Sequence, residues 1–473
     1  MNFQKFQFQE NRKRTNLLKN PLLVFFLAVV SFIGSVWIIK SDGFYYIDEC
    51  AHYMYCRFVL QTLPITVETW HRPIPQWLFA LPAQLGHTFT MFFALSLTIL
   101  LLYITYRIAV LKGIRHPEWT VLFVGLQPVF FDLSYACMTE LPSAFMITLS
   151  YLCYIKEKHA WSMALASCAI MCRTEMYLFA GILFIVYLHR KEWKILPLVL
   201  LGPLIWIAST IIISGDVKTF FSEWSRFSSL SKFVPGVSVT HYIENLHHSF
   251  GYTQLVFFAA GVLLIAKSKR SAEYGIIYTA IAATIIIHTL AGAEIFHWTA
   301  SIGELRYMAV IGPFFGIISA FGFSEIMEKI KHGKWKLTLS IVVLLALVFN
   351  CTLTTQPRRW PNYERPIIEL AKKIKAGYPD LVLLCNNSIA AYVMDAPPSG
   401  GKKFAPINKK TLKEYSEYII LWDPYNANSV FTQTEIALYH MLQDTTIEII
   451  DEYNYWGAEY FILYRDGYDT PLR

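Results

Sequence analysis

The sequence predicts an all-α polytopic membrane protein of about eleven transmembrane helices with a small outer-face α/β domain at its C-terminal end. Three observations point there. Of 473 residues, 55% are hydrophobic and only 16% charged, and the mean hydropathy is +0.39; soluble domains are about one quarter charged. Apolar runs recur along the first 355 residues, separated by short basic connections. Beyond about residue 356 the pattern changes to an amphipathic helix followed by short strands.

A spanning helix needs about 20 apolar residues. Runs of that kind stand at 21–39, 91–111, 195–213, 273–291 and 337–353, with shorter ones at 119–133, 141–155, 254–266 and 307–323. The segments 160–172 and 176–188 are short and cross only if packed inside the bundle. The first run is too long for the apolar core of a cleavable signal, no small-residue cleavage site follows it, and further spans come after. With the N-terminus inside, the cytoplasmic connections carry nineteen basic residues. Beyond Lys40 at the end of the first span, the longer outer ones carry seven: Arg57, Arg72, Arg173, Lys218, Arg226, Lys232 and Arg306. That asymmetry obeys the positive-inside rule, and an odd number of spans leaves the C-terminal end outside. Residues 1–355 then form the membrane module, with a long outer loop at 41–90. Residues 356–473 form the outer domain, in which "NYERPIIELAKKIKA" reads as a helix and "LVLLC", "YIILW", "IEIID" and "YFILY" as strands.

Eight cysteines lie scattered without CxxC or Cys/His ligand spacing, so neither a disulfide framework nor a zinc site is indicated. The net charge of +7 is accounted for by the loops and calls for no nucleic-acid partner. No glycine-rich phosphate loop and no cofactor motif is present.

The unusual residues fall on the outer side. "YYIDECAHY" follows the first span, and its Asp48 and His52 are one helical turn apart. Asp48 also stands where an N-cap aspartate would if a helix began at Glu49, so a capped interfacial helix is the structural alternative. "ETWHRPIPQWLFALPAQLG" adds His71 and Arg72, which would otherwise anchor an interfacial helix among headgroups. "FFDLSYACMTELPSAF" supplies Asp132 and Glu140, "CRTEMYLF" supplies Arg173 and Glu175, and "GELRYMAVIGPFF" supplies Glu304, Arg306 and Tyr307. Each has a plain explanation as an ion pair or a helix-start acid; their convergence on one side does not. In "HYIENLHHSF", His241 and Glu244 would need further ligands to hold a metal, and a headgroup-facing helix fits better.

Carboxylates and arginines at a lipid boundary suit a substrate that is part lipid and part polar. An arginine fork binds phosphate, and a nearby carboxylate takes a proton from a hydroxyl. Together they serve sugar transfer from a lipid phosphate through an oxocarbenium-like transition state. Adjacent helical side chains point about 100° apart. Asp48 is therefore expected to take the proton, while Glu49 orients the acceptor or pairs with a cation and His52 steadies the Asp48 carboxylate.

Over residues 20–325 this arrangement resembles the GT-C superfamily of membrane glycosyltransferases, which includes protein O-mannosyltransferases, aminoarabinose transferases and GPI mannosyltransferases. "IDECAHY" is similar to the acidic pair opening the first outer loop in that family, "HRPIPQWLFALPAQLG" to its histidine–proline segment, "CRTEMYLF" to its arginine turn, and "ELRY" to its late Glu-x-Arg element. The resemblance implies an inverting transfer of a sugar, mannose among the candidates, from a polyprenyl-phosphate donor to a hydroxyl acceptor; no Asn/Asp-rich metal set of the oligosaccharyltransferase kind stands in the sequence, so the transfer is expected to be metal-independent. Asp48 and Glu49 would be catalytic, and His52, His71, Arg72, Glu140, Arg173, Glu175, Glu304, Arg306 and Tyr307 would bind substrate. The compact loops, none of them glycosylation-rich, point to a bacterial inner membrane, with the site on the periplasmic face. The histidine of the family's His-Pro-Asp-Glu pattern is missing before Asp48, which argues against the GPI-type subgroup. The competing readings are an O-antigen ligase or polymerase and a transporter or flippase for a lipid-linked sugar. The first keeps its key residues in a late outer loop; the second favours charges at the bilayer midplane and repeated broken helices.

Overall fold

The computed structural model describes residues 20–218, 220–221, 236–268, 270–293, 303–408, 410–423, 447–455 and 458–465. Among them six helices are long and apolar enough to cross a membrane: Pro21–Lys40 (α1), His87–Leu111 (α4), Leu196–Ser214, Ser271–Gly292, Leu305–Lys329 and Gly333–Thr354. Shorter apolar helices cover Glu140–Ile155, His159–Met171, Thr174–His189 and Tyr252–Lys267, where the short runs were read. The basic N-terminal cluster, Lys269, Arg226 and Lys232, which entered the charge argument, lie outside the described residues.

Two spans differ from the sequence reading. The run 307–323 belongs to a longer segment, Leu305–Lys329, which opens as a 3-10 turn and lies at the centre of the bundle. Its apolar window is 89% buried, against 17% for Gly333–Thr354 at the periphery. The run 119–133 is broken into Trp119–Gly125 and Pro128–Leu133. Proline has no N–H and disfavours the helical region for the residue before it, so Gln127 is extended, with ψ 130. The Gln127 amide nitrogen donates to the carbonyls of Phe123 at 2.8 Å and Gly312 at 3.0 Å. The break is thus tied to the central helix.

Close helix approach depends on missing side chains. A Cβ at Gly322 would stand 2.2 Å from the Phe257 carbonyl oxygen, and one at Gly261 2.3 Å from that of Ile318. Substituting either would push Tyr252–Lys267 away from the central helix.

Above the bundle lies a layer made by the loop 41–90: helix α2 (Ile47–Arg57), a 3-10 turn (Leu63–Val67) and helix α3 (Pro73–Gln84). Trp206, in the span Leu196–Ser214, donates its indole N–H to the Val67 carbonyl at 2.7 Å and anchors this layer. The C-terminal elements form a five-stranded sheet in the order β2-β1-β3-β5-β4: Val382–Leu384 (β1), Phe404–Ala405 (β2), Tyr418–Trp422 (β3), Ile447–Tyr455 (β4) and Ala458–Arg465 (β5). β1 runs parallel to β2 and β3, while β5 pairs antiparallel to both β3 and β4. The helix Arg365–Gly377 packs on the sheet through Ile367, Ile368, Leu370, Ala371 and Ile374. This unit meets α2 directly: Arg57 holds Asp395 at 2.8 and 3.2 Å, and Cys50 donates to the Ser388 carbonyl at 3.5 Å. Helix α2 is therefore held between the membrane bundle and the sheet.

Candidate active site

Helix α2 begins earlier than an Asp48 cap would place it. Tyr46 occupies the N-cap position and Asp48 lies in the first turn. The reason is Glu49, which reaches back to accept from the Tyr45 N–H at 2.5 Å and satisfies a donor ahead of the helix, much as a capping box does. Asp48 is thereby freed from capping. Its Oδ2 accepts from an Arg306 terminal nitrogen at 2.7 Å, and its side chain remains 31% exposed. Arg306, not His52, is the partner of this carboxylate.

Glu49 faces the opposite way and is completely buried. Arg358 donates to both of its oxygens at 2.8 Å, and the Cys137 N–H donates at 2.9 Å. The same guanidinium donates to the carbonyls of Asp132 at 2.8 Å and Tyr135 at 3.3 Å and lies 4.1 Å from the Tyr135 ring centroid. Burial alone would raise the Glu49 pKa; Arg358, His87 and the Tyr45 N–H prevail and hold it at about 2. Of the two roles foreseen for Glu49, it is the pairing with a cation that this geometry contains. Sequence reasoning missed Arg358. Its signal was the Arg-Arg pair just past the last span, on the side where the positive-inside rule disfavours it.

Beneath Asp48 lies a buried network of alternating charge. Arg173 donates to Glu140 at 2.7 Å, to the Thr139 hydroxyl at 3.0 Å and to Glu175 at 2.5 Å, with its guanidinium carbon 4.6 Å from the Tyr307 ring centroid. Arg72 also donates to the Thr139 hydroxyl, at 3.3 Å. The Arg306 Nε stands 3.7 Å from Glu140 and has no hydrogen-bond partner. His288 closes the network, 3.9 Å from Glu175 and stacked on Tyr307 at 4.8 Å. It too was missed, although a histidine within an apolar span is itself a signal. Arg72 has φ +64, a conformation that costs a non-glycine residue about 1–3 kcal/mol. The strained residue thus carries a guanidinium into the centre of the site.

The histidines of the outer layer form an aromatic cluster. His52 is stacked on Trp70 at 4.6 Å with 9° between the planes, and His71 packs against Tyr55 at 4.0 Å. At the mouth, Tyr46 is 44% exposed. Burial first, then the charge of the Glu304 carboxylate, pushes its hydroxyl pKa up. Asp48, Arg306, Tyr307, Glu140, Arg173, Glu175 and Arg72 are thus joined by direct contacts, and His52 and His71 flank them. Glu49 lies on the far side of α2. His241 and His247 stand apart, bonded to the carbonyls of Gly303 at 2.7 Å and Glu244 at 3.0 Å.

No family model matches the sequence, and no curated protein matches it either. The fold does have counterparts. The chain is similar to ArnT from Cupriavidus metallidurans bound to undecaprenyl phosphate, with a TM-score of 0.63 and 10% identity over 93% of this chain and 97% of that one. It is similar also to the apo form of that protein, with a TM-score of 0.59 and 9% identity over 94% and 98% of the two chains. At such identity the likeness is one of fold, and it extends over nearly the whole length of both proteins. The fold expected from the sequence, a mostly helical bundle with apolar spans and a small C-terminal sheet, is one this chain shares with ArnT.

Proposed function

We propose that the protein is a membrane glycosyltransferase that moves a sugar from a polyprenyl-phosphate donor to an acceptor hydroxyl on the outer face, with Asp48 as general base. The observation that carries this reading is the partly exposed Asp48 carboxylate bonded to Arg306 above buried Arg173 and Arg72. The undecaprenyl phosphate bound to the like-folded ArnT supports a lipid phosphate as part of the donor.

In this mechanism the donor phosphate approaches Arg306, whose Nε lacks a partner, and draws the guanidinium away from Asp48. The freed carboxylate takes the proton of the acceptor hydroxyl as its oxygen attacks the anomeric carbon from the face opposite the phosphate. The bond between that carbon and the phosphate oxygen breaks, and the configuration inverts. Arg306, with Arg173 behind it, offsets the charge left on the departing lipid phosphate. No step calls on a metal. The base becomes competent only once the donor is bound, so binding is ordered, donor first.

The topology completes the reading: eleven spans, made of the six long helices, the four short apolar helices and the broken segment 119–133 crossing inside the bundle, with a membrane module to residue 355 and an outer-face domain from 356. The setting is a bacterial inner membrane with the site on the periplasmic side. A cysteine at position 400 labelled only from the cytoplasm would reverse that orientation. The reaction itself is tested with radiolabelled polyprenyl-phosphate sugar in membranes carrying the protein. Losing a general base lowers rates by about 10²–10⁴. Asp48→Asn should lower transfer to that extent while donor binding persists; near-normal turnover in the variant would return α2 to an interfacial anchor.

A further inference from the structure

Cys56 and Cys137 stand far apart in the sequence and meet in the outer layer. Cys56 lies in the last turn of α2, and Cys137 in the connection between Pro128–Leu133 and Glu140–Ile155. Both are free thiols, each 1% exposed, within one continuous core. The Cys137 N–H donates to Glu49 at 2.9 Å. Cys56 follows Glu49 by two helical turns and so projects from the same face of α2. There the two thiols are hydrogen-bonded to one another, and the Cys56 Sγ also donates to the Gln76 side-chain oxygen at 3.4 Å. Just beyond Cys137 come the anchors of the site. The Thr139 hydroxyl takes hydrogen bonds from Arg72 and Arg173, and Glu140 takes one from Arg173. The cysteine pair therefore joins the segment that holds these arginines to the helix that carries Asp48.

We propose that Cys56 and Cys137 are joined by a disulfide, made by exchange with an oxidised protein disulfide of the outer compartment, and that this bond fixes the Thr139–Glu140 anchor against α2. The inference rests on the outer-face orientation of the loop 41–90, not on the identity of the substrate. Disulfides form and persist outside the cytoplasm, whereas cytoplasmic thiols are kept reduced. In the exchange, one cysteine thiolate attacks a sulfur of the oxidant and displaces the other as a thiolate. The second cysteine then attacks the mixed disulfide and displaces the oxidant. Two protons and two electrons pass from the cysteine pair to the oxidant, which leaves as a dithiol. This exchange belongs to the folding chain. Once the layer has closed, burial first and then the bond to Cys56 push the Cys137 thiol well up, away from its reactive thiolate form. A bond closed before that point is shielded from reductant by the same burial.

The test counts thiols in the full-length wild type. Membranes are quenched in acid, and the protein is unfolded without reductant, alkylated, digested and weighed by mass spectrometry. The expected product is a peptide pair joining Cys56 to Cys137, with the other cysteines alkylated. Recovery of both as alkylated thiols, from protein whose position 400 is labelled from outside, would overturn the inference and leave the orientation and the transferase reading intact. Labelling of position 400 only from the cytoplasm would remove the orientation and this bond with it. Thermal unfolding supplies the second measurement, because a disulfide acts by constraining the unfolded chain. The wild-type midpoint should fall by several degrees when reductant is present during unfolding. In Cys56→Ser/Cys137→Ser the midpoint should already be low and should ignore reductant. A wild-type midpoint that ignores reductant would also overturn the inference, and neither wild-type measurement depends on the variant folding.

Discussion

On one flank of α2 the Asp48 carboxylate is 31% exposed and takes a 2.7 Å hydrogen bond from Arg306; on the other, Glu49 is fully buried and takes two from Arg358, one from Cys137 and one from Tyr45. Adjacent residues of one chemical type thus have opposite surroundings, because a helix turns about 100° per residue. Glu49 is saturated with donors and fixes where α2 starts and how it sits on the bundle. Asp48 has one competing partner and an open side. A carboxylate that must accept a proton during a reaction belongs in the second setting.

The largest effect on stability should come from Arg358→Ala. It leaves the Glu49 charge buried without its main partner, and breaking a buried pair in this way costs about 3–5 kcal/mol. Denaturation of the purified protein reads this directly. Glu49→Gln should cost less, and the double variant Glu49→Gln/Arg358→Gln less than the sum, as a shared contact requires. A simple sum would mean that the clamp is not one unit.

Arg306 sharpens the other flank. Arg306→Ala should weaken donor binding about 10–100-fold, the worth of a charge-assisted hydrogen bond to phosphate. Arg306→Lys should recover part of this, since lysine keeps the charge and loses the planar fork. Donor affinity unchanged in both variants would take Arg306 out of the site.

Acid separates the flanks as well. The Glu49 pKa falls from an ordinary 4.5 to about 2 on folding, so its contribution is complete above about 4.5 and is lost as pH drops from there through 2. The stability gap between wild type and Glu49→Gln should therefore narrow between pH 5 and pH 3. The smallest effect has the reverse sign. Burial first, then Asp423, raises the Glu364 carboxyl to about 7, so this group favours folding less and less as pH climbs from about 4.5 through 7. Glu364→Gln should gain on the order of 1–2 kcal/mol over wild type at pH 8 and nothing at pH 4.

Much of this was legible in the sequence for a physical reason. The apolar helices, the layer at 41–90 and the strands follow from apolar run length and periodicity, which are local, and the charged motifs marked one end of the bundle because lipid penalises charge. Local signals also misled. Apolarity read 119–133 as one helix although Pro128 breaks it, and Asp48 looked like a cap because the reach of Glu49 to Tyr45 is invisible in composition. The partners set by tertiary packing were not legible at all. Arg358 meets Glu49 across 309 positions, and nothing near either residue announces the other. His288 meets Glu175 in the same way: the histidine stands out within its apolar span, but its partner does not.

The division of work between the two carboxylates is tested most directly by measuring transfer rate and thermal stability together for Asp48→Asn and Glu49→Gln. The two effects should separate. Asp48→Asn should lose about 10²–10⁴ in rate at near wild-type stability, whereas Glu49→Gln should unfold at lower temperature and keep much of its rate below that transition. Equal losses of rate in both variants, or an Asp48→Asn protein that turns over normally, would contradict the assignment.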